Sequence, residues 1–206
     1  MAYPHSKKET LADAAVHAAG LFVVLPACLA LVFHAAEVSR NIWAITLYAG
    51  CAALSFTASA AYHMSPIDNL RPLLRRIDHA AIYLKIAGTY TPIVMVLGSG
   101  LAYGVLGLVW LLAFIGVIAK MWFWQAVAKA SLALYLGMGW LSALLIWPMC
   151  NSLPNAAVLL IILGGLVYSA GTRVYAHPGM RFQNAIWHIL VLFASACLFG
   201  AIALSL

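Results

Sequence analysis

Residues 86–119 read IAGTYTPIVMVLGSGLAYGVLGLVWLLAFIGVIA, a run with no charged side chain. As one helix it would be about 51 Å long at ~1.5 Å per residue, against a bilayer core of about 30 Å. That is too long for one crossing and enough for two. The GSG at 98–100 is where it divides, because glycine releases the backbone from helical geometry. Four other runs are free of charge: 14–36, 41–67, 130–172 and 182–206. The run 130–172 divides in turn at CNSLPN, 150–155, where Pro154 and polar side chains mark a turn. A membrane helix needs about 20 apolar residues. The expected spans are therefore 14–36, 42–63, 77–97, 101–119, 127–149, 155–174 and 183–205. The fold class is all-α: a polytopic integral membrane protein with seven transmembrane helices in a single domain over 1–206. The third span starts near Ile77 and carries Asp78 and Lys85 into or near the membrane.

Composition agrees with this. The chain has 206 residues, 66% of them hydrophobic and 8% charged, with a mean hydropathy of +1.00. A soluble domain of this size could not keep so much apolar side chain out of water. The first apolar stretch is longer than a signal-peptide core and lacks a cleavage box, so it is expected to remain as a span. Cys28, Cys51, Cys150 and Cys197 form no CxxC and read as small apolar fillers. No internal repeat of the transporter kind is present.

The short connections set the expected orientation. Lys7, Lys8, Arg71, Arg75, Arg76, Lys120, Lys129, Arg173 and Arg181 fall on one side, and Arg40 alone falls on the other. Positive charge in short loops stays cytoplasmic. The N-terminus is thus expected in the cytoplasm and the C-terminus outside, in a multi-pass protein of the cell membrane. The net charge of +6 follows from this bias. The implied partners are membrane lipids with anionic headgroups, and no nucleic acid need be invoked. Trp43, Trp122, Trp124 and Trp147 sit where interface anchors belong.

Several polar residues do not fit a bilayer. Asp13 and His17 open the first span, Ser59 and His63 close the second, Asp78 opens the third, and Asn184 and His188 open the seventh. Topology brings all of them to one layer at the cytoplasmic end. Ser59 with His63, and Asn184 with His188, are i,i+4 pairs sharing a helix face, and Ser55 extends the first stripe. Neutral imidazoles and a carboxylate are what Zn²⁺ takes as ligands. Ionisable groups within a span are costly and face the bundle interior.

Each residue also has a plainer reading. Asp13 follows Thr10 by three and suits a capping arrangement. Asp78 can pair with Arg75 on an interfacial turn. His63 and His188 can be hydrogen-bonded interior histidines, and Ser59 a small packing residue. His5, His34 and His177 read as interface or loop residues, and His79 as facing away from Asp78. Lys85 lies on the face of Asp78 two turns deeper, either snorkelling to the cytoplasm or tuning the polar cage.

The elements SAAYH (59–63), RRIDHAAIYLKIAGTYTP (75–92) and NAIWHILVL (184–192), in this order, resemble the hemolysin III family, the bacterial branch of the progestin and adipoQ receptor family. ETLADAAVHAAG (9–20) is similar too. The resemblance covers nearly the whole chain. It implies seven helices with a cytoplasmic N-terminus. It also implies a zinc site of three histidines, with an aspartate holding the metal's water and a serine nearby. Carried over, these are His63 and His188 as ligands, Asp78 as the aspartate and Ser59 as the serine. Asn184 stands where the family commonly has its third histidine, and an amide oxygen is a poor zinc ligand. Three outcomes stay open. Asp78 ligates directly, giving a set that suits zinc or iron(II). Alternatively, His177 swings in, or there is no metal and the cage is structural. Asp13, His17 and Lys85 are supporting polar residues in each case.

The functional expectation is a metal-dependent hydrolase of a lipid amide or ester, ceramidase-like by resemblance. Asp78 and Ser59 would be its catalytic residues. The alternatives are a non-enzymatic sensor or modulator of membrane state, a small transporter or pore-related cytolysin, or a packing protein with a polar plug.

Overall fold

Ser6 starts the first helix. Its hydroxyl accepts the Glu9 N–H at 3.3 Å, and the Glu9 carboxylate takes the Ser6 N–H at 2.9 Å. This reciprocal capping box satisfies two donors that a helix start leaves open. In the structure, a computed structural model, residues 6–38, 41–127, 131–177 and 179–206 are described. His5, Arg40 and Lys129, which enter the sequence reading above, lie outside the described residues.

The helices are α1 (Lys7–Val38), α2 (Ile42–Met64), α3 (Arg71–Leu97, entered through a 3-10 turn at Asp68–Leu70), α4 (Gly100–Trp122), α5 (Ser131–Ser152), α6 (Asn155–Tyr175) and α7 (Gln183–Ala203). A short helical turn, Trp124–Val127, follows α4. All seven are long and apolar enough to cross a membrane, and the described residues contain no strand. Helices α1 and α3 begin at Lys7 and Arg71, earlier than apolarity alone suggests, because capped and basic turns extend them past the apolar segment.

Consecutive helices pack side by side, and α1 also packs on α7, which closes the bundle into a ring. Helix α3 lies centrally, touching α2, α4, α5 and α7. Its sequence suits that place, since small residues let neighbouring helices approach closely. A Cβ on Gly88 would come within 2.8 Å of the Cys51 Cβ on α2. One on Gly116 of α4 would come within 2.6 Å of the Tyr83 ring.

The GSG division is a helix stop joined to a helix start. Gly98 adopts a left-handed φ of 60° and donates its N–H to the Val94 carbonyl at 3.0 Å. The Ser99 hydroxyl then accepts the Ala102 N–H at 3.2 Å and caps α4. A Cβ at Gly98 would meet nothing within 4 Å, so the cost of a side chain there is backbone strain alone. Gly98→Val is expected to lower stability by about 1–2 kcal/mol. Gly98→Asn, whose short polar side chain tolerates this region, is expected to cost less. Thermal unfolding in detergent measures both.

Helix α5 is not continuous. It is α-helical over Ser131–Trp140, 3-10 over Leu141–Leu145 and α-helical again over Ile146–Ser152. Pro148 has no N–H to offer the carbonyl four residues back, and Gly137 and Gly139 weaken the preceding turn. Side chains cover the loosened carbonyls, as a membrane interior requires. The Tyr90 hydroxyl lies 2.8 Å from the Met138 carbonyl and 2.9 Å from that of Gly139, and the Ser142 hydroxyl donates to Gly139 at 2.8 Å.

At the end of α4, Trp124 carries two cations on its ring. The Arg75 guanidinium is 4.9 Å and the Lys120 ammonium 4.4 Å from its centroid. Trp43, Trp122 and Trp147 are exposed.

Candidate metal centre

Three i,i+4 pairs meet at one end of the bundle: Asp13 and His17 on α1, Ser59 and His63 on α2, Asn184 and His188 on α7. Closure of α1 against both α2 and α7 brings them together. The capping box explains why Asp13 is available. Ser6 and Glu9 start the helix, so Asp13 lies a turn further in and is buried. Glu9 also reaches across to α7 and accepts the Phe182 N–H through Oε1 at 3.0 Å. Phe182 has a left-handed φ of 56° at the start of α7. One carboxylate thereby ties the first turns of α1 and α7 together.

Asp13, His17, His63 and His188 each offer one ligand atom within 4.8 Å of the others. The rings crowd one another. Centroids of His17 and His63 are 4.6 Å apart, of His17 and His188 4.2 Å, and of His63 and His188 4.6 Å. Hydrogen bonds assign the tautomers. His17 Nδ1–H donates to the Asp13 backbone carbonyl at 2.8 Å, and His188 Nδ1–H to that of Asn184 at 2.8 Å. His63 Nδ1–H donates to Asp13 Oδ2 at 2.7 Å. An imidazole whose Nδ1–H is held by a carbonyl or carboxylate presents Nε2 as a basic, oriented ligand.

The donor count points to a cation. The Ser59 hydroxyl is 3.3 Å from His17 Nε2 and 3.4 Å from His188 Nε2. It has a single proton, so it can satisfy only one of the two. Asp13 Oδ1 is buried and has no hydrogen-bond partner, although Nδ1 of both His17 and His188 lies 3.4 Å away. Buried acceptors in excess of donors are costly, and a divalent ion at the Nε2 atoms would remove that cost for the imidazoles. Three imidazoles and a carboxylate fit such an ion, and the His/Asp cluster could bind one.

The remaining residues singled out in the sequence take other places. Asp78 is buried and lines the same cavity as His17, His63 and His188, but it lies outside the group of four. Arg75 is occupied with Trp124, and Asp78 Oδ2 lies 3.4 Å from His79 Nδ1. His79 faces the cavity too. Its Nδ1–H donates to the Arg75 carbonyl at 2.8 Å, and Tyr175 lies 3.5 Å from its Nε2. His177 is exposed and bonds its own helix end at Arg173, and His34 is exposed. Asn184 contributes its backbone carbonyl to His188 and lines the cavity. Lys85 turns to the Ser195 hydroxyl at 2.7 Å, deeper in the bundle. The third imidazole of the cluster is that of His17, whose spacing from Asp13 repeats the other two pairs.

The family described as Haemolysin-III related matches residues 5–199. This chain belongs to the haemolysin III family. Hemolysin-3 of Bacillus cereus is 35% identical over 195 residues, covering 93% of this chain and 89% of that protein. The Hemolysin-3 homolog of Bacillus subtilis (strain 168) is 36% identical, covering 93% and 92%. The human monocyte to macrophage differentiation factor, a member of the progestin and adipoQ receptor family, is 29% identical over 154 residues, 71% of this chain and 63% of its own length. In this haemolysin III protein, His17 supplies an imidazole beside a position, Asn184, at which the resemblance leads one to expect histidine.

A cavity of about 1290 Å³ opens from the cluster. At the cluster end it is lined by His17, Ser59, His63, Asp78 and His188. It continues along the bundle between apolar side chains such as Ile93, Leu145, Met149 and Ile161, on the far halves of α3, α5 and α6. The volume exceeds that of ordinary small-molecule pockets and suits a ligand with a long apolar body.

Proposed function

We propose that the chain is a metal-dependent hydrolase of a lipid amide or ester, with its site at the cytoplasmic end of a single seven-helix domain in the cell membrane. The observation that carries this reading is the joining of two features: an acceptor-rich His/Asp cluster and an apolar cavity that begins at it. Zinc is the ion best suited to three imidazoles and a carboxylate, with iron(II) as the other candidate. Such an ion polarises a carbonyl and makes water acidic enough to react near neutral pH.

The chain's own groups do the rest. His17, His63 and His188 hold the ion, and Asp13 holds the ring of His63 and balances charge. Asp78 takes the proton from the attacking water at its carboxylate. The Ser59 hydroxyl donates a hydrogen bond to the developing oxyanion. The apolar walls hold the acyl chain and keep bulk water from it. The basic connections support the cytoplasmic placement, since positive charge in short loops stays on that side.

Metal analysis of the purified protein, followed by chromatographic assay of a ceramide and a long-chain ester, tests this. Asp78→Asn is expected to retain metal and lose turnover about 100-fold or more, the usual weight of a positioned general base. His188→Ala is expected to lose both. Metal-loaded protein that cleaves neither lipid would refute the hydrolase reading.

A further inference from the structure

Lys85 sits on α3 seven residues past Asp78, about 10 Å further along the axis at ~1.5 Å per residue. Together with Phe56 and Tyr168 it lines the cavity. Its Nζ donates to the Ser195 hydroxyl at 2.7 Å, lies 4.3 Å from the Phe56 ring centroid and 5.5 Å from that of Tyr168. Among the described residues no carboxylate forms an ion pair with it.

The hydrogen bonds decide what this group can do. Ser195 gives its one proton to the Val191 carbonyl at 2.7 Å. Its lone pairs then receive Lys85 and the Tyr168 hydroxyl, which is 2.7 Å away. Ser195 is thus an acceptor with its proton committed to backbone, which does not suit a nucleophile activated by Lys85. Lys85 is a donor with three N–H bonds, one spent on Ser195. The ring face of Phe56 supports the charge. The rest of its donor capacity borders the cavity. A cation this deep in a bundle is costly without a counter-charge, and the described residues supply none in contact with it. The apolar walls beyond Lys85 call for an occupant with an apolar body. A single cation, with both nearby hydroxyl protons already committed, suits a small monoanion better than a dianionic phosphate.

We propose that Lys85 is the counter-ion for a carboxylate-ended single-chain amphiphile, whose tail lies along the far half of the cavity. This subsite is separate from the His/Asp cluster and does not rest on the hydrolase reading. The ligand's source is either the surrounding membrane or cleavage at the cluster.

Binding of tetradecanoate and of tetradecanol to the full chain in nanodiscs, with a chelator present so that metal cannot hold the carboxylate, tests the proposal. Wild-type protein is expected to bind the carboxylate at least ~10-fold more tightly than the alcohol. Lys85→Met is expected to abolish that preference, and Lys85→Arg to keep it. His188→Ala is expected to keep it as well, even if turnover proves absent altogether. Carboxylate that co-purifies with wild type but not with His188→Ala would identify cleavage as the source, and co-purification with both would identify the membrane. Equal affinity for the two probes in wild type would overturn the proposal without need of any variant, as would a preference surviving in Lys85→Met.

Discussion

Replacing His17 by alanine is expected to reduce bound metal to trace amounts and to weaken metal affinity at least ~100-fold, beyond the loss typical of an outer-shell partner. The cluster would retain two imidazoles and one carboxylate, and Asp13 would lose a partner of the same helix face. Asn184→Ala is the informative contrast. Its backbone carbonyl, which the substitution keeps, orients His188, so a loss of less than ~10-fold is expected. Mass-spectrometric metal content and a competitive chelator titration read both. If Asn184→Ala lost metal and His17→Ala kept it, His17 would not be a ligand. Metal bound to the native state also stabilises it by mass action, so a chelator is expected to lower the melting temperature of wild type and leave His17→Ala unmoved.

The largest effect on folding is expected at Gly116. A methyl group there would meet three atoms of the Tyr83 ring at 2.6 Å. Tyr83 cannot yield, since it is 1% exposed and packs against the Tyr135 ring at 4.5 Å. Gly116→Ala is expected to cost about 1–3 kcal/mol by overpacking, and Gly116→Val more. The loss belongs to the contact and not to the helix, because alanine is the better helix former. Gly116→Ala combined with Tyr83→Leu is therefore expected to recover part of it. Thermal unfolding of the four proteins in one detergent closes the cycle. Additive losses would mean that the two residues do not meet.

The number of helices was legible because a bilayer imposes a length, and charge-free runs either meet it or exceed it. The division at 98–100 was legible because only a left-handed residue ends α3 there, and glycine takes that conformation cheaply. The break in α5 left weaker traces. Gly137, Gly139 and Pro148 occur in many unbroken membrane helices, and Tyr90, far away in the chain, covers the exposed carbonyls. The polar end of the bundle could be read from topology, which places Asp13 and His17 in that layer. Which side chains converge could not be read. Spacing of four names a helix face but not the direction in which that face points, and only the contact of α1 with α7 brings His17 to His188. The capping box at Ser6 and Glu9 also had to displace the Thr10–Asp13 alternative before Asp13 became available.

The carboxylate of Glu9 links the opening turn of the earliest helix to the opening turn of the latest. Asp13 and His17 of α1 therefore meet His188 only when α7 lies beside α1. An ion held by all three imidazoles would bind only once α7 has packed on α1. A bundle in which α7 has not docked would lack His188 and the Phe182 clasp on Glu9, so occupancy of the cluster would report that docking.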